Sequence, residues 1–269
     1  MRAVITSFPT FLRIALAVMF QYRWEMLLWA IWGVVYPAVA MAMWRAALVG
    51  TGGAAQIGGF GEREFAGYFL LTMIVGHLCT AWDVYEMGYL VRSGGMSPKL
   101  LRPILPIWEN LAANVAFKLL TTGILLPIWA GIAILVAPRV STDAGDLAAG
   151  ALATVLASGI NFLWGYLLAM TAFWFTRSEA VGQLWFGAQL FFGGRLAPLT
   201  ILPEPLQWAA AAMPFKWIVW FPAAVLLGNL DRGQILAGLA WQTAWLTGGV
   251  LLFRVVWRAG LRRYSAVGA

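Results

Sequence analysis

Six apolar stretches, near residues 26–48, 65–84, 112–137, 148–175, 181–193 and 234–257, limit what this chain can fold into more than any other feature. A helix needs roughly 20 apolar residues to cross the ~30 Å hydrocarbon core of a bilayer. Only 181–193 falls short of that length. In lipid every backbone polar group must find its partner inside the chain, so helices are the expected form. Charged residues make up 11% of the sequence, against roughly 25% in soluble domains. That is too few to cover a water-facing surface, which excludes a soluble enzyme. The expected fold is all-α and membrane-integral, with residues 1–269 forming one transmembrane domain. The net charge of +7 would suggest nucleic acid in a soluble chain. Here the basic residues flank apolar runs, so they are read as setting topology and meeting lipid headgroups, with no nucleic-acid partner.

Within and between these stretches the sequence predicts further features. Residues 8–24 place Phe8, Phe11, Leu12, Ala15, Leu16 and Met19 on one helical face, which predicts an amphipathic helix at the membrane interface. Arg13, Gln21 and Arg23 interrupt its apolar pattern, and because Met1 to Arg23 carries Arg2, Arg13 and Arg23 with no continuous apolar region, no cleavable signal peptide is expected there. Pro37 and Pro127 are expected to bend or interrupt the first and third spans. Residues 194–233 are apolar but carry Pro198, Pro203, Pro205, Pro214 and Pro222, which predicts short broken helices re-entering the membrane from one side.

Lys and Arg placement orients the chain. With the N-terminus inside, Arg2, Arg13, Arg23, Arg92, Lys99, Arg102, Lys118, Arg177 and the basic tail Arg254, Arg258, Arg262 and Arg263 fall on the inner side. Arg45, Arg63, Arg139, Arg195, Lys216 and Arg232 fall outside. The excess predicts both termini in the cytoplasm, with 85–110 cytoplasmic and 194–233 external.

No catalytic constellation stands out. His77 is the single histidine and Cys79 the single cysteine, two apart on a helix and facing different ways, so neither a catalytic triad, nor a metal site, nor an intrachain disulfide is expected. The phosphate-loop pattern of ATPases is absent, the nearest stretch being Gly94 to Lys99. The span interiors hold His77, Asn161, Gln183 and Gln189 but no well-centred acid or lysine, and Arg45, Asp83 and Lys118 are read as snorkelling near span ends. A stand-alone secondary carrier or channel is the alternative reading, and the lack of a coupling-ion site weighs against it. A membrane-embedded lipid enzyme would need clustered acids, His or Cys. The remaining expectation is a transport subunit driven by another protein.

The segment 85–110 is too rich in Leu and Ile for a solvated linker, and Gly94, Gly95, Pro98, Pro103 and Pro106 supply turns and helix starts. It reads as a compact knob with a basic rim. The run Glu86, Val91-Arg92-Ser93-Gly94-Gly95, Leu100-Leu101-Arg102-Pro103 and Pro106, set between spans 2 and 3 of such a chain, resembles the membrane subunits of the ABC type 2 transporter permease family, in particular bacterial export permeases encoded as pairs. That resemblance implies a bacterial inner-membrane permease without its own ATPase, working with a second permease, identical or related, and with soluble ATP-binding cassette ATPases that hold ATP and Mg. It implies that Glu86, Arg92, Gly94, Leu101, Arg102 and Pro103 couple to the ATPase. It further implies that spans 2 and 5 line the path, with Thr72, His77, Gln183, Trp185 and Gln189 as the lining candidates. In span 5, Gly182, Gly187 and Ala188 permit close helix approach at a dimer seam.

Overall fold

The computed structural model of the chain describes residues 2–50, 56–175 and 178–264. Its long helices are α1 (Arg2–Gln21), α2 (Arg23–Gly50), α3 (Glu62–Leu78), α6 (Pro106–Val136), α7 (Ala144–Ala169), α8 (Ser178–Phe192) and α12 (Arg232–Leu261). Shorter ones are α4 (Asp83–Arg92), α5 (Met96–Leu100), α9 (Glu204–Ala211), α10 (Phe215–Ile218) and α11 (Trp220–Leu226). No β-strand forms among the described residues. Arg177 and the loop positions 51–55 and 176 lie outside the described residues.

The helix boundaries follow from local chemistry. Leu105 in extended geometry hands over to Pro106 at the first turn of α6, where the missing N–H costs nothing. Asp143 caps α7 by accepting from the Asp146 amide, and Asp231 with Gln234 forms a reciprocal capping box on α12. Among the described residues, five helices are long and apolar enough to cross a membrane: α1, α2, α6, α7 with its 3-10 extension to Phe173, and α12. The other two, α3 with 17 residues and α8 with 15, reach only about 25 and 22 Å at 1.5 Å per residue. For α3 length matters least. Helix α3 is the buried centre, its residues from Phe65 to Met73 inaccessible on every face, with α2, α6 and α11 packed round it.

Three expectations are corrected here. Both α2 and α6 are continuous through Pro37 and Pro127, so Pro127 does not interrupt the third span; membrane helices tolerate proline where neighbouring groups or local adjustment re-satisfy the carbonyl it frees. Helix α1 packs against α6 and half-buries the predicted stripe of Phe8, Phe11, Leu12, Ala15, Leu16 and Met19. Its other face, however, is more apolar than an interfacial helix requires, with Ile5, Ile14, Val18 and Phe20 exposed. The third span begins at Pro106 rather than near residue 112.

Residues 194–233 form the expected chain of short pieces: a 3-10 turn at Leu199–Ile201, then α9, α10 and α11. Proline stands at the N-cap of the 3-10 turn (Pro198), of α9 (Pro203) and of α10 (Pro214). Two hydrogen bonds from Gln242 of α12, to the carbonyls of Ala153 (2.9 Å) and Trp217 (2.7 Å), tie this segment to α7 and α12. Gly249 and Gly260 let α12 lie close on Leu163 and Phe173, leaving no room for a Cβ.

Candidate functional site

Polar groups gather in two places. The first is at mid-depth. Helix α3 stops at Leu78, the Cys79 and Thr80 amides make its last bonds, and Ala81 and Trp82 are non-helical before α4 begins. Backbone freed at membrane depth must be bonded by side chains. Asn161 Nδ2 donates to the Cys79 carbonyl (2.6 Å) and Asn114 Nδ2 to the Thr80 carbonyl (2.9 Å). Gln189 of α8 donates in turn to Asn161 Oδ1, so one relay joins α8, α7 and the broken end of α3. One turn earlier, His77 Nε2 meets Thr121 Oγ1 at 2.9 Å, with the imidazole between Phe117 and Trp129. Thr121 is the midpoint of α6.

Arg195 reaches the same level. The chain leaves α8 through Gly193 and Gly194, and Gly194 has φ +78°, the left-handed geometry that glycine adopts without strain. A Cβ there would stand 2.5 Å from the Tyr68 hydroxyl and 3.0 Å from Trp220 Cβ. Tyr68 donates to the Gly194 carbonyl and fixes the turn. The turn points Arg195 back to α3, so that a Cβ on Gly76 would lie 3.2 Å from its Nη1. Because Gly76 adjoins His77, the guanidinium lies close to the depth of Thr121.

A cavity of about 370 Å³ opens there between α2, α3 and α8, lined among others by Trp29, Trp32, Tyr36, Thr72, His77 and Arg195. A second cavity, of about 300 Å³, is lined by Asn161, Gly182, Trp185 and Gln189. The two share Thr80, Trp82, Phe186 and Arg195 and form one groove. Of the five residues expected to line a path, Thr72 and His77 are in the first cavity and Trp185 and Gln189 in the second. Gln183 lies on the exposed side of α8 and lines neither.

The charge placement needs correcting. Arg195, counted as external, is at mid-depth. Lys118 is in the body of α6, not near a span end, donating to Ser158 Oγ at 2.6 Å. Asp83 is buried rather than snorkelling, with Oδ1 accepting from Asn110 Nδ2 at 3.2 Å.

The second place is the end of the molecule formed by α4, a turn and α5. Gly94 takes φ +73°, whereas Gly95 has ordinary helical geometry, so of the two only Gly94 needs to be glycine for its backbone. Met87 and Met96 are fully buried with Tyr166, Met170, Phe173 and Trp257. Arg92 bonds Glu179 of α8 at 2.6 Å, while Lys99 and Arg102 share Glu109 of α6 at 3.1 and 3.2 Å. The Arg92 guanidinium, through its hydrogen bond, holds the Glu179 carboxyl below its ordinary range. Ser97 Oγ and Tyr264 Oη are 2.8 Å apart, which ties the turn to the end of the chain. Leu101 projects at 87% exposure, with Arg102 and Pro103 exposed beside it. Glu86 is exposed and borders an open cavity of about 570 Å³ with Met19, Trp29 and Asn110.

A sequence profile of the ABC-2 family transporter proteins matches residues 52–268. The chain belongs to that family. It is therefore the membrane component of an ABC-type transporter and a multi-pass membrane protein. No curated protein matches it at a significant level. In this ABC-2 permease the matched segment begins just past the end of α2, so both α1 and α2 precede it.

Sequence reasoning missed Arg195, Tyr36 and Thr80 as groove residues. A signal for Arg195 was present: it stands alone in a stretch from 180 to 203 that holds no Asp or Glu.

Proposed function

We propose that this ABC-2 permease is the path-forming subunit of an ATP-driven exporter of the bacterial inner membrane. Residues 1–269 act as one transmembrane domain, with both termini and 85–110 in the cytoplasm and 194–233 outside. Two permease subunits, identical or related, form the pathway. Soluble ATP-binding cassette ATPases supply the ATP and Mg chemistry, and this chain has no enzymatic activity of its own. Family membership carries this reading. It is supported by the α4–α5 knob, which is tethered by ion pairs to the first turns of both α6 and α8 and leaves Leu101, Arg102 and Pro103 exposed.

In this reading Glu86, Arg92, Gly94, Leu101, Arg102 and Pro103 form the coupling element. A movement of the ATPases displaces α5, and the tethers pass it to α6 and α8. Thr72, His77, Trp185 and Gln189 line the path at the groove, and Gln183, on the open side of α8, faces the second permease.

The test is recovery of this chain from native membranes under mild detergent with crosslinking. An ATP-binding cassette ATPase in stoichiometric amount is expected. Recovery of the chain alone overturns the partnership. Replacing Arg102 or Glu86 with alanine is expected to leave the complex assembled and to abolish the dependence of ATP hydrolysis on this chain. Unchanged dependence in both variants removes the coupling role from the knob.

A further inference from the structure

We propose that the groove at Arg195 is a binding site for the anionic headgroup of an amphiphile, and that such a molecule is the cargo class. The inference rests on the reading of the groove as the transport path and adds the chemistry of what occupies it.

A guanidinium keeps its charge in any protein environment. At membrane depth an ionised group is costly and needs a partner or a function. Among the described residues Arg195 has no hydrogen-bond or ion-pair partner in the groove. No Asp or Glu lines either cavity, and its Nε–H is buried without an acceptor. The Tyr36 hydroxyl, on the same cavity, is likewise buried and unbonded. Thr72 adds a hydroxyl beside the Tyr68 phenol. The Arg195 and Tyr36 donors line one space, and among the described residues nothing accepts from them. Buried donors left open in this way mark the place of an acceptor, and a planar guanidinium fork suits an anionic oxygen pair.

The rest of the wall is apolar and aromatic. Trp29, Trp32, Phe186 and Leu190 surround the polar point. The volumes fall in the range of small-molecule sites. Charged headgroup at Arg195, hydrocarbon between the aromatic walls: the groove matches an amphiphile rather than a free ion.

The experiment uses the full chain in neutral detergent, without any ATPase. Binding of dioctanoyl phosphatidate and of dioctanoyl phosphatidylcholine is measured by native mass spectrometry. The native chain is expected to bind the anionic lipid roughly tenfold or more tightly than the zwitterionic one, as fits a hydrogen bond to a charged group. Arg195→Gln is expected to erase that preference, and Tyr36→Phe to reduce it by a few-fold. Gly76→Ala, which crowds the guanidinium from the α3 side, is expected to weaken phosphatidate binding while the helices stay folded. Arg45→Gln, at an exposed ion pair with Glu62, is expected to change nothing.

A preference that survives Arg195→Gln in a chain with native thermal stability overturns the proposal. So does an equal loss in Arg45→Gln, which would mean diffuse attraction. Displacement of the lipid by excess inorganic phosphate would assign the site to free anions and overturn the amphiphile. Because no ATPase takes part, lipid binding can succeed where ATPase recovery fails, and the reverse, so the two readings fall separately.

Discussion

Replacing Asn161 with leucine, which is close in size and has no polar atoms, tests whether the break in α3 is held by side chains. Asn161 makes two bonds: it donates to the Cys79 carbonyl and accepts from Gln189. The substitution orphans both partners. Their consequences differ. Gln189 lines the groove and can turn to it, whereas the Cys79 carbonyl belongs to backbone that has left its helix among fully buried neighbours. Leaving a buried acceptor unmade costs about 1–3 kcal/mol. Intramembrane side-chain bonds average ~0.6 kcal/mol. Leucine regains some of this by apolar burial, so the net loss is expected near 2 kcal/mol. Gln189→Leu removes only the second bond and is expected to cost about 0.6 kcal/mol. The assay is unfolding in mixed micelles by titrated SDS, followed by far-ultraviolet circular dichroism. The ordering carries the reasoning: Asn161→Leu must be the worse variant by a clear margin. Equal losses, or an Asn161→Leu variant within about 0.5 kcal/mol of native, would refute the view that this amide bonds the freed backbone.

Gly194→Ala forces a side chain into left-handed backbone and against Tyr68 and Trp220, and is expected to cost about 2–4 kcal/mol. Gly59→Ala, with φ +83° but open space around it, is expected to cost about 1–2 kcal/mol on the same unfolding assay. The Arg92–Glu179 pair lowers the folded carboxyl value, so its contribution is full above the ordinary carboxylate range and is lost as pH falls through the lowered one. Both side chains touch solvent, which holds the effect to about 1 kcal/mol or less; melting temperatures between neutral and acidic pH should show it, and Arg92→Met should remove that part of the slope. Tyr264→Phe breaks the contact with Ser97 and is expected to cost about 1 kcal/mol while speeding amide exchange in α5.

The helical membrane class was written in the sequence because apolar runs of twenty residues have few other ways to fold. The knob between α3 and α6 was legible for a similar reason. Its Leu, Gly and Pro pattern forbids both a helix of full length and a solvated coil, and α4, a glycine turn and α5 are what remains. Depth was not legible. Distance along the chain places Lys118 and Asp83 near span ends and Arg195 in the external segment, but depth depends on how the chain turns. The Gly193-Gly194 turn carries Arg195 back beside Gly76, and that return rests on Tyr68, 126 residues away. Gln183 shows the same gap on the candidate site. It shares α8 with Gln189, six residues on, yet Gln189 faces Asn161 while Gln183 faces outward. Helical phase relative to neighbours decides that, and phase is set by packing. Pro127 shows a third gap: α6 continues through it, since propensity measured in water overstates how readily a proline breaks a helix in lipid.

The lone guanidinium at mid-depth also has an electrical meaning. A unit charge carried through the whole membrane field exchanges about 2.3 kcal/mol per 100 mV. With its site empty, Arg195 leaves the groove one positive charge in excess. With an anion seated, the same groove is neutral. Any swing of the groove between the two faces would then move net charge on the empty stroke and none on the loaded one. The membrane voltage would act as a spring on the return step alone, so the voltage dependence of turnover would report how long the carrier waits without cargo.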